Sequence, residues 1–535
     1  MSYKKTILTG TLLLTISGIL SRILGFYNRI FLADLIGAKE LGIYSLIFPA
    51  YALCFTLVCH GFETGISNMT SRLYAGRQGN QARRLVHLTC LINLVSSLLL
   101  TIFLYKTSCY LSKYLLKNPS CQEPLRIASL ALPFVAVKAC IHGYYIGRGK
   151  SGVSAFSQLI EQSARVVSIY LLSITLYAAS ADVRLAVWGM VCGEAVSAVY
   201  TIFAYLYTIL LRPYLMERKS TRTIPHNSHK GIGPGKTCSS FHECTETKRT
   251  QTRALLRDFF SFSIPLTVNH FCLTMVSSLE SILIPYVLMQ HFGDQDLALA
   301  AFGRLTGMAL PFLYFPAAIT NSLSVMLLPA ISASYKQKKM AQIRYTISQS
   351  LHYCIVIGIF STFAFRFYGN LLGETVFHSI KAGQYIYSFA VLCPFMYAAS
   401  TIMSILNGFG LTKKTMYHSL LCVAVRIACI LTLIPLYGIQ GYLIGMLAGY
   451  VLQLILDLIT LLKITTFSFS VEKTILLPAA LSLGGGWLSQ KLYACLGNVM
   501  TIHPLVLLAL CGISYALFFT VTQLGIQYLS AQSEP

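Results

Sequence analysis

The chain has 535 residues, 55% of them hydrophobic and 11% charged, with a mean hydropathy of +0.65 and a net charge of +23. A soluble protein carries roughly 25% charged residues, so a soluble fold is excluded, and the lack of alternating segments of about ten residues excludes a β-barrel. Nucleic acid is not implied by the basic excess, because that excess follows the membrane topology described below.

Apolar runs of about 20 residues recur from end to end, each long enough to cross a bilayer as a helix. Fourteen spans are expected, at 6–36, 41–70, 85–108, 125–147, 152–179, 184–211, 258–290, 297–330, 345–368, 383–408, 415–435, 438–462, 473–495 and 503–529. The fold class is an all-α polytopic membrane protein. Lys4 and Lys5 precede the first run as in a signal peptide, but no small-residue cleavage site follows, so an uncleaved first span is expected. That span contains "SRILGFYNR" (21–29), with Arg22 and Arg29 on one helix face about two turns apart. Gly18 and Gly25 repeat the spacing and let a neighbouring backbone approach.

Cys109 and Cys121 flank the one sizeable outside loop, and a disulfide between them stays open on spacing alone. The other cysteines read as small buried hydrophobes. A long basic segment, 213–257, reads as a flexible cytoplasmic linker rich in Ser, Thr, Gly and His. Within it "GIGPGKT" (231–237) lacks the first glycine of a phosphate loop, and "CSSFHEC" (238–244) lacks zinc-finger spacing. Neither is accepted as a site.

With the N-terminus inside, the inside segments hold most lysines and arginines, among them Arg72, Arg83, Arg84, Arg148, Lys150, Lys338, Lys339, Arg344, Lys413 and Lys414. That bias places both termini in the cytoplasm. An internal repeat emerges at an offset of 261: Tyr74, Gln81, Arg83, Gly147, Gly149 and Arg165 match Tyr335, Gln342, Arg344, Gly408, Gly410 and Arg426. Six spans separate the copies, so orientation is preserved and the repeats are parallel. The expected organisation is an N-terminal six-helix lobe (1–212), the linker, a C-terminal six-helix lobe (258–463) and two further helices (464–535). Repeat-built transporters place the substrate between their halves.

Several charges remain inside the spans. Each costs about 2.5–3.5 kcal/mol at mid-membrane and should face a bundle interior or a wet cavity. Arg22 and Arg29 read as a cationic strip for an anionic group, with snorkelling as the other reading of Arg29. Glu161 and Arg165 form an i, i+4 pair that either lines a cavity or neutralises itself. Glu280 has no partner in sequence and reads as a cavity or cation site. Glu63, in "CHGFETGISN", lies near glycines able to break the helix. Arg304 and Arg426 divide evenly between binding and structural roles. Lys138 and Glu194 read as structural, and Asp457 as interfacial. No nucleophile–base set or metal cluster is apparent, so an enzyme is not expected.

Four stretches carry a family resemblance: "ISGILSRILGFYNRIFLADLIGAKELGIYSLIFPAY" (16–51), "HGFETGISNMTSRLYAGRQGN" (60–80), "GYYIGRGKSGVSAFSQLIEQSARV" (143–166) and "FPAAITNSLSVMLLPAISASY" (315–335). Together they resemble the stage V sporulation protein B and MurJ-type lipid II flippases, in the polysaccharide-transporter branch of the MATE-like (MOP) exporter superfamily. The resemblance implies two six-helix lobes around an alternately opening cavity, and export of undecaprenyl-diphosphate-linked saccharide for cell-wall, spore or capsule synthesis. It also implies that first-span arginines serve the diphosphate. Arg22 falls on the first of these, whereas the second falls on Asn28, with Arg29 one step and about 100° further round. Arg304 lies near the family's span-eight arginine, with a different spacing to the following proline. Expected partners are the lipid-linked saccharide, membrane lipids and envelope-synthesis enzymes, without nucleic acid. No cofactor is expected; the membrane potential or a cation would supply the coupling. The runner-up is a cation-coupled multidrug antiporter of the same superfamily. The expected location is a bacterial-type plasma membrane.

Overall fold

The computed structural model describes residues 3–76, 78–175, 182–211, 241–467, 470–499 and 503–533. Among these, the regular elements are all helical. Ten helices are long and apolar enough to cross a membrane. Fourteen spans result when Ser17–Tyr74 is divided at Gly37 and the bent pair Pro119–Ser129 and Leu132–Gly147 is one span; Gly152–Thr175 and Leu477–Val499 complete them. Gly152–Thr175 falls short on hydropathy because it carries Gln158, Glu161, Gln162 and Arg165. The expected fourteen-helix, all-α class therefore holds.

Local chemistry sets several breaks. The run Tyr3–Val58 is interrupted at Gly37, whose φ of 76° suits glycine. Span two breaks again at Cys59, so Glu63 lies in the first turn of His60–Ala75, where the helix dipole favours an acid. Span seven belongs to a helix beginning at Phe241, so the last part of the expected linker is helical. Of the two near-motifs at 231–244, only the backbone from Phe241 is described. Cys109 is an exposed free thiol and Cys121 is buried, so no disulfide joins them.

The chain divides into two compact units. One comprises Met1–Leu24, Ile47–Ser180 and Arg184–Met275; the other comprises Gly25–Leu46, Ala181–Val183 and Val276–Pro535. The first is centred on Ile66, Leu85, Cys140, Tyr144 and Phe259, and the second includes a cluster of Ile343, Ile347, Ile405, Leu406 and Leu461.

The offset of 261 recurs in backbone geometry. Lys117 and His378, both with φ 50°, precede the helix caps Asn118 and Ser379. Pro133 and Pro394 start the second halves of spans four and ten. Thr101 Oγ1 donates to the Ser129 carbonyl at 3.1 Å, and Thr362 Oγ1 to the Ala390 carbonyl at 3.0 Å. Each bond engages a carbonyl at the break of a span, where the ladder is interrupted. Gly149 (φ 68°) and Gly410 (φ 83°) end the turns after those spans.

Candidate functional site

Span one presents its polar residues in two ways. Arg22 is exposed, and no hydrogen bond or ion pair to a described residue holds it. Asn28 is buried at 5% exposure, and its side-chain oxygen has no partner among the described residues. Arg29 is exposed and donates to the Thr306 carbonyl on span eight at 3.0 Å. The one-residue step thus turns the amide inward and the guanidinium outward. Phe26 packs edge-on against Phe312, 4.7 Å between ring centroids, and anchors this part of the helix to span eight.

Within the first unit, four charges converge. Lys138 on span four donates to Glu161 Oε2 at 2.7 Å and to Glu194 Oε2 on span six. Arg165 donates to Glu161 Oε1 at 2.8 Å. Both oxygens of Glu161 are engaged, and two cations face two carboxylates at side-chain exposures of 8–16%. The Glu161–Arg165 pair is therefore part of a larger neutralised cluster. Lys138 and Glu194, the residues read as structural, are its centre. Glu63 stands apart from these ion pairs and accepts from the Cys59 thiol at 3.8 Å.

The second unit holds a comparable pair. Glu280 on span seven, which has no partner nearby in sequence, accepts from Arg426 Nη2 on span eleven at 2.8 Å. Arg426 also lies 5.9 Å from the centre of the Tyr450 ring. Asp457 is fully buried within the protein and bonded to His418 Nδ1 at 2.7 Å. A neighbouring span supplies the partner that burial demands. Arg304, at the start of the stretch Arg304–Ala309, is half-buried and makes no ion pair among the described residues.

The structure thus joins Glu161 to Arg165 and Glu280 to Arg426, and among the described residues leaves Arg22, Glu63 and Arg304 outside any carboxylate–cation pair. Sequence reasoning found the i, i+4 pair but not the Lys138–Glu194 contact across 56 positions. The signal available was charge balance: a lysine in span four demands an acid on a neighbour. Among the described residues no group of three or more His, Cys, Asp or Glu is arranged to hold a metal.

A family profile described as "Polysaccharide biosynthesis protein" matches residues 7–335. The chain is 27% identical over 499 residues to the stage V sporulation protein B of Bacillus subtilis (strain 168), covering 90% of this chain and 88% of that one. It is 20% identical to the lipid II flippase MurJ of the same organism, covering 88% and 86%. A solved structure of a lipid II flippase MurJ in an inward closed conformation superposes with a TM-score of 0.65 at 16% identity, covering 96% of this chain and 99% of that one.

Proposed function

The chain belongs to the polysaccharide biosynthesis protein family, and from that premise we propose that this multi-pass bacterial membrane protein is a flippase for a lipid-linked saccharide. The substrate class is an undecaprenyl-diphosphate-linked saccharide, lipid II or a related envelope precursor, carried from the inner to the outer leaflet. The reading follows two relatives, a stage V sporulation protein and a lipid II flippase. It describes a transporter and not an enzyme, with both termini cytoplasmic.

One observation carries the reading beyond the family. Lys138, Arg165 and Arg426 each face a carboxylate of the chain itself, whereas Arg22 is exposed and faces none among the described residues. A cation kept in a membrane helix without a counter-charge suits an anionic ligand. Guanidinium stays charged and binds phosphate through two parallel hydrogen bonds. A diphosphate headgroup supplies the missing charge, and its polyprenyl tail stays in the lipid.

Two lobes rocking about a midplane site would expose the headgroup to each side in turn. Each negative charge moved outward across an inside-negative potential gains about 2.3 kcal/mol per 100 mV, so the potential suffices as a driving force. The multidrug-antiporter reading is weaker, because Glu161, Glu194 and Glu280, the acids it would use for cation coupling, are tied to Lys138, Arg165 or Arg426.

Native mass spectrometry with lipid II tests the proposal. The wild-type protein should retain the lipid, and Arg22→Ala should weaken retention by about 2 kcal/mol, roughly thirtyfold, for one lost charge-assisted interaction. Equal retention by both forms would remove Arg22 from the site. Binding of cationic drugs but of no lipid-linked saccharide would establish the antiporter instead.

A further inference from the structure

A second cationic feature lies where spans two, three and four end on the side that the charge bias assigns to the cytoplasm. The hydroxyls of Tyr74 and Tyr144 are 2.9 Å apart. The Arg148 guanidinium lies over both rings, 4.9 Å and 5.2 Å from their centres, and donates to the Tyr144 hydroxyl at 3.0 Å. Arg83 lies near the same two tyrosines, and its Nε is buried with no hydrogen-bond partner among the described residues. Arg72 and Arg84, on the helices that carry Tyr74 and Arg83, are exposed. No carboxylate is ion-paired to any of these four arginines among the described residues. The Arg148 guanidinium is thus held by two aromatic faces and a neutral hydroxyl, with Arg83 near the same tyrosines and no ion-paired carboxylate among the described residues.

The internal repeat shows what the fold requires at this corner. Positions 74, 83, 144 and 148 correspond to Tyr335, Arg344, Ile405 and Phe409. There the corner closes by apolar packing: Ile405 is in the buried cluster, and Phe409 meets the Tyr335 ring edge-on at 5.2 Å. The same turn, ending in Gly410 where the first copy has Gly149, forms without a cation at the position of Arg148. Neither Arg148 nor the Tyr144 hydroxyl is needed to build the corner.

We propose that the Arg83–Arg148 corner binds the phosphate of a membrane-lipid headgroup at the inner surface. Planar guanidiniums match phosphate oxygens in pairs, and basic pockets at the cytoplasmic ends of membrane helices are suited to anionic headgroups. Tyr144, on which Arg148 rests, belongs to the buried core cluster of the first unit, so the cation is anchored to a packed part of the fold. This site is separate in sequence from Arg22 and does not rest on the saccharide reading.

The test is lipid retention by the full chain in native mass spectrometry, with phosphatidic acid as the probe and inorganic phosphate as a soluble competitor. Arg148→Phe installs the residue that the second copy uses, and Arg83→Gln removes the other cation. Each should lower phosphatidic acid retention at least fivefold, while Arg344→Gln in the second copy leaves it unchanged. If Arg148→Phe does not yield a folded protein, Arg83→Gln decides alone. Unchanged retention in folded Arg148→Phe and Arg83→Gln overturns the proposal, as does an equal loss in Arg344→Gln, which would mark general charge attraction. Full displacement by inorganic phosphate, with no preference for lipid, would reassign the corner to free anions. Retention that survives Arg22→Ala separates this site from the transport site.

Discussion

Lys138 bridges two acids from two other spans, so its removal is not a simple loss of one contact. Lys138→Met strands Glu194, and leaves Glu161 with Arg165 as its remaining partner. Removing one member of a buried ionic cluster costs about 3–5 kcal/mol because the survivor stays desolvated. We expect Lys138→Met to lower the thermal midpoint of the purified protein sharply, and Lys138→Met/Glu194→Gln to recover much of the loss by removing the stranded charge. A midpoint equal to wild type in the single variant would mean that Glu194 reaches water. Glu280 and Arg426 repeat the logic with one pair. The sequence displayed the Glu161–Arg165 spacing because one helix turn sets it. It hid the links from Lys138 to Glu194 and from Glu280 to Arg426, since only helix packing brings those residues together.

At the scale of elements, spans four and ten are the same device written twice in different residues. Lys117 and His378 share a left-handed backbone, Asn118 and Ser379 share a cap, and Thr101 and Thr362 make equivalent bonds to the carbonyls of Ser129 and Ala390. Thr101→Val and Thr362→Val should each cost about 1 kcal/mol, the net worth of one hydrogen bond, read as a lowered thermal midpoint. The Thr→Ser variants should stay close to wild type. If valine is tolerated equally well, the break carbonyls are satisfied without the threonine hydroxyls. Hydropathy made the spans legible, and six identities at one offset exposed the repeat. The shared breaks were not legible, because Lys117 and His378, or Asn118 and Ser379, match in conformation and not in identity. The split of span two at Cys59 left only the neighbouring glycines as a clue.

At the scale of the whole molecule, two packed seams bear on transport. Spans two and seven belong to different copies of the repeat, yet they meet closely: Thr56 and Thr274 hydroxyls are 3.2 Å apart, and the rings of His60 and His270 stack at 4.9 Å. A Cβ at Gly61 would collide with Thr267 Oγ1, so glycine is required for that approach. The second seam joins the connection between spans one and two to the start of span eight. There Lys39 meets Asp296 at 2.6 Å. With both termini cytoplasmic, as proposed, span order puts Lys39 and Asp296 at the outer ends of their spans, and carries span two from Thr56 toward its inner end. If the two repeat copies rock against each other as proposed, contacts of this kind have to part during a cycle, since a transporter sealed on one side passes nothing. A Thr56→Cys/Thr274→Cys pair, in a background with Cys54, Cys59 and Cys272 replaced by serine or alanine, should stop lipid translocation in reconstituted vesicles once oxidised. Reductant should restore it, and each single cysteine should have no effect. The lock should spare lipid binding from the outward side while blocking loading from within. Translocation at the wild-type rate with the disulfide formed would mean that spans two and seven move as one body. Opening would then have to occur at another helix pair.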